Sequence, residues 1–127
     1  MSNVPGLAIM VWSCDLAKPE NLATPFMAAQ AAAALDLDVE MLFTAQAISW
    51  LLPAHGERLA GFGTQSRCVR EYLETCATMG IRVYACSQAM AGAGLRTEEL
   101  VPQCSGHSGM VAFVERSIDP DWRTLVF

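Results

Sequence analysis

The sequence predicts an α/β protein: a single three-layer α/β/α domain around a mainly parallel, five-stranded sheet. Three observations carry this expectation. Short β-rich apolar runs alternate with helix-forming stretches in the order βαβαβαβαβ. The first run, LAIMVW at 7–12, is continuously apolar rather than alternating, as in a strand buried on both faces. The 127 residues contain no repeat, low-complexity tract or linker, so 1–127 reads as one domain with one core.

The elements follow in order. The first strand ends in Ser13, Cys14 and Asp15, which is turn chemistry, and 18–21 continues the loop. A helix is expected over 24–35, with Thr24 as N-cap and Pro25 at the first helical position. Its alanine-rich run, 27–34, is strongly helix-forming and lets the helix lie close to a sheet. After a return turn at 36–38, VEMLFT at 39–44 is the second strand. The almost uncharged segment 47–52, ended by Pro53, reads equally as a core helix or a subunit-contact helix. Residues 54–65 are the most loop-like, with Gly56, Gly61 and Gly63.

A third helix is expected over 66–79. Val69, Tyr72, Leu73, Cys76 and Met79 form its apolar stripe, and Gly80 stops it. The third strand, IRVYA at 81–85, delivers Cys86, and a short helical stretch at 87–91 is closed by Gly92 and Gly94. A helical turn ends at Pro102, and Gln103 and Cys104 form a short fourth strand. SGHSG at 105–109 reads as a flexible turn before an apolar helix at 110–116. Asp119, Pro120 and Asp121 make a turn, and RTLVF at 123–127 is the terminal strand.

Composition narrows the function classes. Apolar residues make up 53% and charged residues 17%, a surplus that implies burial against other chains in a homo-oligomer or permanent complex. A net charge of −5 without any basic run argues against a nucleic-acid footprint. No stretch is long and apolar enough for a membrane span. The apolar run 5–12 is short for a signal peptide and lacks a basic flank, so a cytoplasmic location is expected. Five cysteines without close pairing read as thiols in a reducing compartment.

The chemistry centres on Cys86. A thiol where a strand gives way to a helix meets unpaired backbone N–H groups and the positive end of the helix dipole, which favour thiolate. Cys14, Cys86 and Cys104 all fall at expected carboxyl ends of strands, the rim where ligands bind in such sheets. For Cys86 the residues alone leave reactive and packed readings balanced, whereas for Cys14 and Cys104 packing outweighs chemistry. Cys68 and Cys76 lie on the third helix and read as structural. Cys104 and His107 have a C-x-x-H spacing, but no second close pair of ligands supports a metal. His107, in a turn before a helix, is a candidate to stabilise a thiolate or move a proton, beside the plainer reading of a loop histidine; His55 reads as a loop histidine. Glycine-rich dinucleotide, Walker A, nucleophile-elbow and C-x-x-C signatures are absent from the sequence.

Four stretches together resemble the DsrE/DsrF-like sulfur-relay proteins of the DsrEFH superfamily. They are the alanine-rich helix running into DVEMLFT at 38–44, and VYACSQAM at 83–90 followed by Gly94, Leu95 and EEL at 98–100. GMVAFVE at 109–115 and TLVF at 124–127 complete the set. The resemblance implies a flavodoxin-like domain that assembles as dimers, trimers or hexamers. It also implies a cysteine after the third strand, here Cys86, that accepts sulfane sulfur as a persulfide and passes it on. Donor and acceptor would be proteins or small persulfides, and no metal or organic cofactor would be needed. N–H groups near Ser87 would stabilise the anion, with His107 as a helper and Cys14 or Cys104 as second relay thiols. The chain departs from the best-known members in having no Arg or Lys between Gln88 and Gly94. A binding or regulatory module of the same fold is the alternative, and a redox-sensing thiol protein is a third reading.

Overall fold

The computed structural model of the chain describes residues 4–14 and 16–127. Strand β1 (Gly6–Val11) leads through a 3₁₀ turn (Pro19–Leu22) into helix α1 (Ala23–Ala34) and strand β2 (Asp38–Phe43). Two 3₁₀ segments, Ala45–Leu51 and Pro53–His55, precede a small antiparallel hairpin of β3 (Leu59–Ala60) and β4 (Arg67–Cys68). Helix α2 (Val69–Thr78), strand β5 (Arg82–Cys86) and helix α3 (Ser87–Ala93) follow. Strand β6 (Cys104–Ser108), helix α4 (Met110–Ile118) and strand β7 (Trp122–Val126) complete the chain.

The main sheet is parallel with strand order β6-β5-β2-β1-β7, an α/β architecture as expected. Three successive connections step in one direction, so right-handed crossover puts α1, α2 and α3 on one face. The long return from β6 to β7 leaves α4 on the other. Two apolar clusters match the two faces. Ile9, Val11, Met41, Phe43, Val83 and Ala85 point at Phe26, Tyr72 and Leu73 of α1 and α2. The alternate residues Ala8, Met10, Leu42 and Cys86 pack with Phe113 of α4 and Trp122. In the larger core the Phe26 ring stacks on Tyr72 at 5.0 Å and lies 5.9 Å from Phe43.

Several expected boundaries shift for identifiable reasons. Thr24 does not cap α1: the helix starts at Ala23, directly continuous with the 3₁₀ turn before it. The segment expected as a helix at 47–52 is a 3₁₀ stretch whose Ala47, Ile48, Trp50 and Leu51 face the core. The Trp50 indole N–H donates to the Cys14 carbonyl at 2.7 Å, tying this stretch to the end of β1. Helix α2 begins at Val69 rather than at 66, because Arg67 and Cys68 pair in the hairpin. The turn expected to include Asp15 lies in part outside the described residues.

The largest correction concerns 104–108. These residues, expected as the tail of a short strand and a flexible turn, form edge strand β6. Pairing with β5 imposes extended backbone on a run that lacks β propensity, a tertiary override. The register slips between Val83 and Tyr84: Val83 stands opposite Cys104, but Tyr84 stands opposite Gly106. Ser105 is the extra residue of this bulge, and its Oγ accepts the Val83 N–H at 3.1 Å.

Gly6 opens β1 against the Trp122 indole, and a Cβ there would enter the ring. Gly6→Ala is therefore expected to lower stability by about 1–3 kcal/mol, read as a lower urea midpoint with an unchanged slope.

One nine-residue helix covers the second face. Five strands span roughly 24 Å, and a helix roughly 10 Å across covers less than half of that. Tyr84, Gly106 and Ser108 on β5 and β6 stay half-buried. Helix α4 itself carries an outward apolar stripe: Met110 and Val114 are about half exposed, and Val111 and Ile118 are 78% exposed. Among the described residues no helix is long and apolar enough to cross a membrane.

Candidate functional site

Cys86 is the last residue of β5 and the N-cap of α3. The strand places it because 83–86 alternates strictly across the sheet: Val83 and Ala85 enter the helix-side core, while Cys86 joins Met10, Leu42, Phe113 and Trp122 beneath α4. The residue is 5% exposed, so its sulfur is sheltered from bulk water. Burial works against ionisation, but hydrogen bonds from the Thr44 hydroxyl and from the Ala89 and Gln88 N–H groups outweigh it and hold the thiol below its ordinary range. Those two N–H groups belong to the second and third residues of α3, whose helical partners are missing. Cys76 is the contrast: it lies in the core of α2, and burial pushes its thiol up to about 11 despite a contact from Gln30.

The other sequence candidates separate from this sulfur. Ser87 is adjacent and exposed, and its hydroxyl donates to the Ser108 carbonyl at 3.5 Å. Cys14 does follow β1, but it is buried in the helix-side cluster, with its Sγ 3.5 Å from the Asn21 carbonyl. Cys104 is not on the carboxyl rim. It opens β6 opposite Val83, three residues before Cys86 on the neighbouring strand, which is roughly 10 Å along the sheet. His107 lies within β6, not in a turn. It pairs with Ala85, whereas Ser108 pairs with Cys86, so Ser108 shares the face of Cys86 and His107 does not. The imidazole Nε2 is 2.9 Å from the Thr97 hydroxyl. Cys68 is buried at the start of α2, near Glu71. Among the described residues, no three His, Cys, Asp or Glu side chains converge as a metal site.

Two cavities lie nearby, reached through neighbours of Cys86 (Ala89 for one, Ser108 for the other) and not lined by Cys86 itself. An apolar one of about 630 Å³ opens beside α3, between Ala89, Gly92 and Ala93 and the segment Ala45, Gln46, Ile48 and Ser49. A polar one of about 440 Å³ lies on the partly bare sheet face, lined by Glu40, Tyr84, Ser108, Glu115 and Arg116, with His107 also at its wall. Glu40 is held by two arginines: Arg116 Nε donates to it at 2.9 Å, and Arg82 reaches it at 3.3 Å and Asp38 at 2.8 Å.

Thr44 was not singled out by sequence reasoning. It closes the run VEMLFT, and only the β2–β5 register reveals its place beside Cys86.

A family model for the DsrE/DsrF-like family matches residues 10–127. Among solved structures, the ychN protein from E. coli is similar with a TM-score of 0.75 and 17% identity, covering 98% of this chain and 100% of that one. MTH1491 from Methanobacterium thermoautotrophicum, described as a protein of unknown function, is similar with a TM-score of 0.69 and 12% identity, over 98% and 100% of the two chains. At these identities both likenesses speak to the fold alone. No curated protein matches the chain.

Proposed function

The chain belongs to the DsrE/DsrF-like family, which is associated with sulfur relay, and from that premise we propose that it is a sulfur carrier or sulfurtransferase acting through Cys86. The observation that carries the reading is the place of this sheltered sulfur, at the end of β5 and the N-cap of α3, beside the Thr44 hydroxyl and the Gln88 and Ala89 N–H groups. They favour the thiolate, the form that attacks sulfur.

In the first step the Cys86 thiolate attacks the outer sulfur of a donor R–S–SH. A new bond joins Sγ to that sulfur, the donor's S–S bond breaks, and RS⁻ leaves. The product is Cys86–S–SH. In the second step an acceptor thiolate attacks the terminal sulfur and becomes R′–S–SH, and Sγ leaves as thiolate. The two steps balance without external oxidant or reductant. The low exposure of Cys86 suits a persulfide that must survive between donor and acceptor.

The second part of the proposal is that the working particle is a homo-oligomer in the cytoplasm, joined through the α4 face. Met110, Val111, Val114 and Ile118 present an apolar stripe next to a partly bare sheet. Asp38, Glu40, Arg82 and Arg116 on that face already pair with one another, so a second copy of the chain can cover these four without stranding a charge.

The test is incubation with a low-molecular-weight sulfane-sulfur donor, followed by intact-mass measurement and peptide mapping. The expected result is a gain of one sulfur atom located on Cys86. Sulfur on Cys14 or Cys104 instead, or no gain at all, overturns the assignment.

A further inference from the structure

The strand register places a hydroxyl beside the reactive sulfur. β2 and β5 pair in parallel, with Phe43 opposite Ala85. Continuing that register by one residue sets Thr44 opposite Cys86, on neighbouring strands roughly 4.8 Å apart. Partners in a parallel pair share a face, so both side chains lie on the α4 side. The backbone fixes Thr44 on both flanks. Its N–H donates to the Val11 carbonyl at 3.0 Å, extending the sheet by one bond. The next residue, Ala45, is left-handed, with φ of 52°, a conformation that costs a non-glycine residue about 1–2 kcal/mol. The chain thus turns away sharply after Thr44 and leaves its side chain at the carboxyl rim, half-buried. The Ala47 N–H, 3.1 Å from the Thr44 carbonyl, locks that turn.

We infer that Thr44 is a functional residue of the Cys86 site: its hydroxyl donates to Sγ both when the sulfur attacks and when it leaves. The inference rests on the assignment of Cys86 as the sulfur-carrying thiol. In the first transfer step the hydroxyl holds Sγ as thiolate ready to attack. In the persulfide, Sγ is a neutral inner sulfur and the demand on Thr44 falls. When the acceptor takes the terminal sulfur, negative charge returns to Sγ, and the same hydroxyl stabilises the leaving group. Its stabilisation is therefore largest where charge develops, which is the condition for catalysis rather than uniform binding.

The side chain type fits this role. A threonine at the end of a strand has a stiff χ1, so its hydroxyl is aimed with little entropy left to lose. Valine has the same branched shape without the donor. Serine keeps the donor on a freer side chain.

The experiment measures alkylation of Cys86 against pH by iodoacetamide, with the labelled peptide quantified so that the other four cysteines do not enter. It compares the native protein with Thr44→Val, Thr44→Ala and Thr44→Ser. Thr44→Val and Thr44→Ala are expected to move the midpoint to higher pH. At neutral pH they should slow alkylation about tenfold, the scale of one charge-assisted hydrogen bond. At strongly alkaline pH the difference should vanish or invert, because a thiolate of higher pKa is the better nucleophile. Thr44→Ser should retain the native profile. Superposable profiles for the native protein and both donor-less variants overturn the inference, as does a Thr44→Ser profile equal to that of Thr44→Val. Alkylation uses no sulfur donor, so this result stands apart from whether Cys86 carries sulfur. A shifted profile with no persulfide formation would uphold Thr44 and sink the relay.

Discussion

Cys86→Ser is expected to abolish sulfur uptake, a fall of about 10³-fold or more, the scale on which removing a covalent nucleophile acts. A serine hydroxyl stays protonated at neutral pH and cannot displace a thiolate from a persulfide. The substitution is close to isosteric, and Cys86 sits among apolar partners at the edge of a cluster that includes Met10, Leu42, Phe113 and Trp122. Folding and assembly should survive it. Circular dichroism and sedimentation check that point, while intact mass after donor treatment reads the chemistry. Cys14, Cys68, Cys76 and Cys104 remain as internal controls, since all four are present in the variant. If the variant still gains sulfur, another thiol is the carrier. If it loses sulfur uptake but keeps its biological activity, the domain acts as a binding or regulatory module and the persulfide is incidental.

The second large effect concerns assembly. Paired substitutions Val111→Asp and Ile118→Asp place two carboxylates on the outer face of α4, where both native side chains are 78% exposed in the single chain. They touch nothing that the fold needs, because Phe113 is the α4 residue that packs inward. In an assembly closed through this face each lost apolar contact costs about 1.5–3 kcal/mol, and burying the new charges costs more. Association should weaken at least tenfold per substituted residue. The native protein is expected to sediment as an oligomer, and the double variant as a monomer with an unchanged far-ultraviolet spectrum. A native protein that is monomeric at micromolar concentration sinks this part of the proposal.

Much of the fold was legible in the sequence because burial dictated it. The continuous apolar run in β1 and the apolar stripe of α2 have no other economical home, and the βα alternation then fixes a parallel sheet. What escaped was whatever depends on neighbours rather than on the run itself. Residues 104–108 carry no β-rich pattern, and the edge of β5 alone makes them a strand. The place of Cys86 at a strand-to-helix junction was readable, since Gly94 and the small helical stretch define the far end. Its partners were not. Register decides that Thr44 stands beside it and that Cys104 does not, and a single sequence contains no register. Cys14 follows its strand as expected, yet it turns into the opposite core.

The bulge in β6 decides more than local shape. Were Ser105 drawn into the ladder opposite Tyr84 and the pairing continued in step, His107 rather than Ser108 would stand opposite Cys86. One residue of register is thus the distance between a thiol flanked by hydroxyls and a thiol–imidazole dyad. Relatives that differ at this point should differ in how proton transfer accompanies their reaction, even where every motif reads the same.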